Sequence, residues 1–140
     1  MKPYTLIAVT IVTLALIAYT VGTVAQQRSR SIGGAVVGFL TLGVVLDIVA
    51  TIFMILGSGK VMSLHGLLGY TALAGMLIEV VIAWRWRMRR GEAPITGGMA
   101  LYSKVAYLYW VIAFLSGGLL VGISRRAAQA AAILSGLLQA

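Results

Sequence analysis

The sequence predicts an all-α integral membrane protein, a four-helix up-down bundle with a short C-terminal interfacial or docking helix. Hydrophobic residues make up 61% of the chain and charged residues only 10%, with a mean hydropathy of +1.02. Four apolar runs of about 20–25 residues match the length a helix needs to cross a hydrocarbon core of ~30 Å. Short loops between the first three runs make consecutive helices antiparallel neighbours.

The four predicted helices cover 4–25, 33–57, 61–84 and 99–123, and together they form one transmembrane domain, 1–124. We expect the first to be a retained helix rather than a signal peptide, because its apolar run is longer than a typical signal-peptide core. We expect Pro94, Gly97 and Gly98 to interrupt the helical structure before the fourth helix begins.

Small residues at helical spacing indicate where these helices pack. Gly34 with Gly38, and Gly118 with Gly122, have the GxxxG spacing that lets two helix backbones approach closely in lipid. We therefore expect these pairs to lie at helix contacts.

Residues 125–140 form a tail with high helix propensity. Beyond Arg126 it reads AAQAAAILSGLLQA, and four apolar residues fall on one side: Ile133, Leu134, Leu137 and Leu138. The pattern fits a surface helix that lies on the membrane or docks to a partner, and it equally fits an extension of helix four. An isolated helix this short is marginal in water, so an ordered tail needs lipid or another chain to hold it.

The net charge of +8 is distributed unevenly along the chain. The predicted first and third loops contain six arginines: Arg28, Arg30, Arg85, Arg87, Arg89 and Arg90. The opposite side has four basic residues: Lys2, Lys60, Arg125 and Arg126. Because cytoplasmic loops carry the excess of Lys and Arg, we expect both termini outside the cytoplasm. The expected location is a bacterial inner membrane.

The predicted third loop begins with a dense cluster of tryptophan and arginine. We interpret it as a lipid-interface girdle formed by Trp84, Arg85, Trp86, Arg87, Arg89 and Arg90. Its rings suit the headgroup depth and its guanidinium groups suit anionic lipid. The girdle accounts for the basic charge, so the expected partner is membrane lipid and not nucleic acid.

Two of the three acidic residues, Asp47 and Glu79, and the single histidine, His65, lie in or beside the apolar runs. A charge at the bilayer centre costs roughly 2.5–3.5 kcal/mol, so such residues indicate a functional site. His65 and Glu79 share one face of predicted helix three but lie ~21 Å apart along its axis. Asp47 falls between them in depth, so the three are expected to form a ladder rather than one catalytic cluster.

Each of the three has a structural and a functional interpretation. His65 suits a hydrogen bond at the membrane interface, or an axial bond to a macrocycle metal. Asp47 suits a hydrogen bond to Thr51 or to a neighbouring helix, or proton or quinone chemistry. Glu79, near the end of its predicted helix, is expected to form an ion pair with Arg85 or Lys104.

The thirteen residues between His65 and Glu79 are also the spacing of two ligands in transmembrane di-haem b cytochromes. Gly66 would leave room for a flat macrocycle beside His65. With one histidine, the chain supports at most one haem or chlorophyll-type pigment, ligated by His65, and no bis-histidine site. Because the chain has no cysteine, thiolate metal sites and iron–sulfur clusters are excluded. The helix-four aromatics are expected to be interface anchors and packing residues: Tyr102, Tyr107, Tyr109 and Trp110.

Several short segments carry a resemblance to a known family. They are LDIVAT at 46–51, LHGLLG at 64–69, MLIE at 76–79, and Tyr102-Ser103 with Trp110. With them the chain resembles the small four-helix bacterial membrane family labelled HsmA-like, and more distantly cytochrome b561-type bundles. In the family pattern histidine tends to occupy the positions of Glu79 and Tyr102, where this chain departs from it.

The sequence favours an accessory subunit of a larger membrane complex, of electron-transfer or photosynthetic type, with no chemistry or catalytic residue of its own. We expect other membrane subunits, or further copies of the chain, as partners. One alternative is a redox carrier that binds a macrocycle through His65. Another is a proton-coupled quinone or small-molecule site using Asp47, His65 and Glu79. Hydrolase and phosphoryl-transfer chemistry are disfavoured, because the chain has neither a phosphate-binding glycine loop nor a nucleophile–base pair.

Overall fold

A computed structural model describes residues 2–139 and confirms the predicted fold class. The chain is 88% helical, and the described residues contain no β-strand. The four helices are α1 (Pro3–Ser29), α2 (Gly34–Ser58), α3 (Leu64–Arg90) and α4 (Gly97–Gln139). All four are long and apolar enough to cross a membrane, so the chain is an integral membrane protein.

Local sequence signals set the helix ends. Pro3 is the first residue of α1. The N–H groups of the first helical turn have no partner within the helix, so the missing N–H of proline costs nothing there. The helix stops at Arg30, which adopts the left-handed conformation at φ 54°. Gly59, with φ 66°, ends α2 in the same way. Ser63 caps α3, because its side chain accepts a hydrogen bond from the Gly66 N–H at 2.9 Å.

Two helices run further than predicted at the arginine-rich end. The segment Trp84–Arg90, predicted to be loop, is the last part of α3, and α1 continues to Ser29. Tryptophan, arginine and methionine do not break a helix, and cations near a helix C-terminus interact favourably with its dipole. The first residue that ends α3 is Gly91, which has φ 58°.

The helices pack as a square, each against its neighbours in sequence, and α4 closes the square against α1. The most extensive contact is between α1 and α2. The backbones of the two diagonal pairs, α1 with α3 and α2 with α4, do not approach each other in the described residues. This is the arrangement of an up-down bundle with short connections.

Glycines bring α1 and α2 close together, but they are not the predicted GxxxG pairs. A methyl group at Gly43 would lie 2.9 Å from the Tyr19 Cβ, and one at Gly22 would lie 3.0 Å from the Leu40 backbone nitrogen. In contrast, a Cβ at Gly38 would meet nothing within 4 Å. The close approach therefore depends on glycines that are not spaced as a GxxxG pair.

Loop one, residues 30–33, and loop three, residues 91–96, are tied together at the arginine-rich end of the bundle. The Ile95 N–H donates to the Arg30 carbonyl at 2.8 Å, and the Arg87 guanidinium donates to the Ile32 carbonyl at 3.1 Å. Ser31 and Pro94 form an isolated antiparallel bridge between the same loops. This end is consequently closed by main-chain contacts between the two loops and by the Arg87 side chain at the end of α3.

The C-terminal tail is continuous with α4. The helix runs unbroken for 43 residues to Gln139. Of the two expectations for the tail, the extension of helix four is therefore the one observed. Ala140 lies outside the described residues. At ~1.5 Å per residue α4 is about 64 Å long, roughly twice the thickness of a hydrocarbon core. Part of α4 therefore extends beyond the bundle.

Candidate functional site: a buried polar layer

Two hydrogen bonds cross the diagonals of the bundle. The Tyr19 hydroxyl on α1 donates to Glu79 Oε2 on α3. The Trp110 indole Nε1 on α4 donates to Asp47 Oδ2 on α2 at 3.0 Å. The two donors also touch, with ring centroids 5.6 Å apart and a T-shaped angle of 69°. We call Tyr19, Asp47, Glu79 and Trp110 the buried polar layer.

The polar layer is shielded from the bundle surface. Tyr19 is 0% exposed, Glu79 and Trp110 are 3% exposed, and Asp47 is 7% exposed. Ionisable residues in membrane spans face the bundle interior and bind to each other or to polar neighbours, and this arrangement fits that rule. The side chains of the layer thus connect α1 to α3 and α2 to α4, the two diagonal pairs whose backbones do not approach each other.

The ion pair expected for Glu79 is wrong. Arg85 and Lys104 are both exposed, whereas Glu79 is buried and bonded to Tyr19. The expectation depended on helix three ending at Trp84. Since α3 continues to Arg90, Glu79 lies well inside the helix and its side chain points into the bundle.

The structure brings Asp47 and Glu79 into one layer rather than onto separate steps of a ladder. Thr51 donates to the Asp47 backbone carbonyl at 2.8 Å, and the Asp47 carboxylate receives its bond from Trp110 instead. Of the two roles expected for the helix-four aromatics, interface anchoring and packing, Trp110 has the packing role, because it is a core residue. Tyr19 was missed, although it shares one helix face with Thr23 and Gln26, a polar pattern that is detectable in the sequence.

A second group of polar side chains adjoins the layer on the side of the arginine-rich loops. Ser103 on α4 donates to the Gln26 Oε1 on α1 at 3.2 Å and lies beside the Glu79 carboxyl. Thr23, one helical turn from Tyr19, is also buried. We call Thr23, Gln26, Glu79 and Ser103 the Thr23–Glu79 cluster.

His65 lies apart from the layer, at the opposite end of α3. Its Nδ1 is 3.0 Å from the Ser116 hydroxyl, which itself donates to the Ala113 carbonyl at 2.7 Å. That donation leaves Ser116 as an acceptor, so His65 Nδ1 is the donor of this bond. A Cβ at Gly117 would lie 2.7 Å from the His65 Cε1 and 2.8 Å from Nε2. The imidazole therefore fixes α3 against α4.

The residues around His65 do not fit a haem or chlorophyll-type macrocycle. A macrocycle metal would have to approach Nε2, and the Cε1–Nε2 edge of the ring rests against the backbone of α4 at Gly117. A macrocycle there would have to separate α3 from α4. Within residues 2–139 there is likewise no group of three or more metal-ligating His, Cys, Asp or Glu side chains.

The girdle residues lie at the end of α3. Arg90 stacks over the Trp86 ring at 5.2 Å, and Arg87 is 3.8 Å from the Glu92 carboxylate. The Trp84 indole donates to the Thr41 hydroxyl at 3.1 Å. Two further arginines, Arg85 and Arg89, are exposed. Their contact with lipid stays a prediction.

Comparison with protein-family models, curated proteins and solved structures finds no match for this chain. The resemblance to the HsmA-like family accordingly stays a prediction.

Proposed function

We propose that the chain is an accessory subunit of a larger membrane complex, anchored by its four spans and attached to its partner by the end of α4. The observation that carries this proposal is the apolar part of α4 beyond the bundle. Four large side chains there are strongly exposed, from 60% at Leu134 to 85% at Leu138.

The geometry of α4 supports this proposal. Thr5, near the start of α1, lines a shallow groove with Ser124 and Ala128, so the bundle ends at about this level. Beyond Arg126, α4 extends a further ~20 Å. No charged residue follows Arg126, and an uncharged helix with exposed leucines is poorly suited to water.

The polar layer supports a structural role for the transmembrane part. Its acidic groups are enclosed by side chains of the same chain. The proposal does not include electron transfer through His65, because the surroundings of that residue do not fit a macrocycle.

We further propose a bacterial inner-membrane location with both termini outside the cytoplasm. The six arginines at the end of α1, in the loop that follows it and at the end of α3 support this orientation under the positive-inside rule. In that orientation the α4 extension projects from the non-cytoplasmic face, so its partner has a domain or helix there.

The double variant Leu134→Asp/Leu138→Asp tests the attachment. Native membranes are solubilised in mild detergent and the mass of the complex is measured by native electrophoresis and mass spectrometry. We expect the wild type to migrate with a second, defined protein, and the double variant to lose it while still inserting in the membrane. Gln129→Glu, which adds a charge at an exposed polar position of the same segment, is expected to retain the complex.

Two results would contradict the proposal. One is a wild-type protein that is monomeric under conditions that preserve other membrane complexes. The other is a complex that contains only copies of this chain, which would make it a homo-oligomer and not an accessory subunit.

A further inference from the structure

Two buried oxygen atoms among the described residues make no hydrogen bond. They are Glu79 Oε1 and Thr23 Oγ1, on side chains that are 3% and 4% exposed. Nearly all buried polar atoms in proteins have a partner, so an unpaired one calls for a specific explanation such as a water or an ion. Here both atoms belong to the Thr23–Glu79 cluster.

The Thr23 hydroxyl does not follow the pattern of other threonines in the bundle. Five of them donate to the carbonyl four residues earlier: Thr10, Thr13, Thr41, Thr51 and Thr71. This bond is the usual way for a helical threonine to satisfy its hydroxyl in an apolar environment. Thr23 lacks it although it is more buried, so its oxygen is available to a ligand.

The position of Thr23 places this oxygen among other oxygens. Tyr19, Thr23 and Gln26 lie on one face of α1, one helical turn apart. Tyr19 contacts Glu79. Gln26 contacts Ser103, which lies beside Glu79. The cluster thus combines one carboxylate oxygen with hydroxyl and amide oxygens.

Among the described residues, no basic side chain pairs with Glu79. Tyr19 donates to Glu79 Oε2 and Ser103 lies beside the carboxyl, whereas Arg85 and Lys104 are exposed. An ionised carboxylate without a counter-charge is costly inside a membrane bundle, and a bound cation reduces that cost.

We propose that the Thr23–Glu79 cluster binds one monovalent hard cation of the Na⁺ class, held by Glu79 Oε1 and Thr23 Oγ1 with oxygens of Ser103 and Gln26. Carboxylate, hydroxyl and carbonyl oxygens are ligands for hard cations. One carboxylate neutralises one positive charge, whereas a divalent ion would leave an uncompensated charge in the bundle. The cation would join α1, α3 and α4 at this level.

The test measures binding of radioactive ²²Na⁺ to the full chain in detergent, at constant ionic strength maintained with choline chloride. We expect saturable binding of one Na⁺ per chain. Glu79→Gln is expected to abolish it. Thr23→Val keeps the side-chain shape but removes one oxygen, and we expect it to weaken the affinity about tenfold, the factor that corresponds to one ordinary hydrogen-bond-sized interaction.

Two matched variants control for the chemical change alone. Glu92→Gln makes the same substitution at an exposed residue, and Thr13→Val removes a hydroxyl that already donates to its own helix. Both are expected to bind Na⁺ like the wild type. Should Glu79→Gln fail to fold, the wild type alone remains informative, because a bound ion raises the unfolding temperature in Na⁺ relative to choline.

Three results would overturn the proposal. The first is a folded wild-type protein that neither binds ²²Na⁺ nor shows a sodium-dependent unfolding temperature. The second is Na⁺ binding that is unchanged in both Glu79→Gln and Thr23→Val. The third is an infrared band of a protonated carboxyl group that is lost in Glu79→Gln and is unchanged by Na⁺ in the wild type. Such a band would show that a proton, and not Na⁺, occupies the site.

Discussion

The bond from Tyr19 to Glu79 connects α1 to α3 across the bundle, and Tyr19→Phe removes its donor without changing the shape of the ring. We expect this variant to lose about 1–3 kcal/mol of unfolding free energy, the usual effect of leaving a buried acceptor unpaired. Titration with sodium dodecyl sulfate in mixed micelles measures the loss.

A matched control distinguishes this bond from tyrosine hydroxyls in general. Tyr109, 37% exposed, shares a hydrogen bond with Thr71, and Thr71 also donates to a backbone carbonyl. Tyr109→Phe is therefore expected to change stability little. In a Glu79→Leu background, Tyr19→Phe should cost much less than alone. Equal costs in both backgrounds would show that the two side chains do not interact.

The contact between His65 and Gly117 gives a second prediction about single side chains. Gly117→Ala places a methyl group 2.7 Å from the His65 ring, and we expect it to lower the unfolding free energy by about 1–3 kcal/mol. Gly118→Ala, where a Cβ meets nothing within 4 Å, is the control and is expected to have little effect. In a His65→Ala background the cost of Gly117→Ala should disappear. A cost that persists there would mean that the imidazole is not the obstacle.

The polar residues could be found in the sequence, but not their partners. Asp47, Glu79 and His65 are identified by their charge or rarity inside apolar runs. Tyr19 and Trp110 are amphipathic aromatics, and the same composition serves at an interface or in a core. What decides between these positions is the rotation of each helix about its axis, which depends on side chains of three other helices.

The interface between α1 and α2 depends on two backbones meeting at Gly43. A Cβ there would lie 2.9 Å from Tyr19 Cβ and 3.1 Å from its Cα and backbone nitrogen. These backbone atoms belong to α1, so they can move away only if the helix itself shifts. We expect Gly43→Ala to lower the unfolding free energy by about 1–3 kcal/mol and to disturb the Tyr19–Glu79 bond with it. The same detergent titration measures the change.

Gly38→Ala is the control for helix propensity. It lies in the same helix as Gly43 and its Cβ would meet nothing within 4 Å. Because alanine favours the helix over glycine by roughly 0.5–1 kcal/mol, we expect a neutral or slightly stabilised protein. If the two variants behaved alike, the close approach of α1 and α2 would not depend on the missing side chain.

The helices themselves were predictable, and their ends less so. Apolar length identifies a membrane span, but it does not show where a helix stops once it leaves the apolar run. Trp84–Arg90 continues α3 because nothing in it breaks a helix before Gly91. The tail after Arg126 continues α4 for the same reason, and hydropathy could not separate that outcome from a surface helix.

Considered as a whole, the molecule has two different ends. One end carries the six arginines and is closed by bonds from loop three and from Arg87 of α3 to loop one. The other end carries loop two, the start of α1 and the projecting part of α4. The polar layer and the close contact of α1 with α2 at Gly43 lie between them, so the buried acidic groups and the exposed apolar helix are separated along the bundle axis.

The orientation of these two ends in the membrane is testable, because the chain has no cysteine and each introduced one is unique. Val61→Cys places a thiol in loop two, where Val61 is 58% exposed, and Glu92→Cys places one in loop three. Because the positive-inside rule assigns the arginine-rich end to the cytoplasm, a membrane-impermeant maleimide added to intact spheroplasts should label Val61→Cys and not Glu92→Cys. Lysed membranes should label both, which controls for the reactivity of each thiol. The reverse pattern would put the α4 extension in the cytoplasm and its partner on that face.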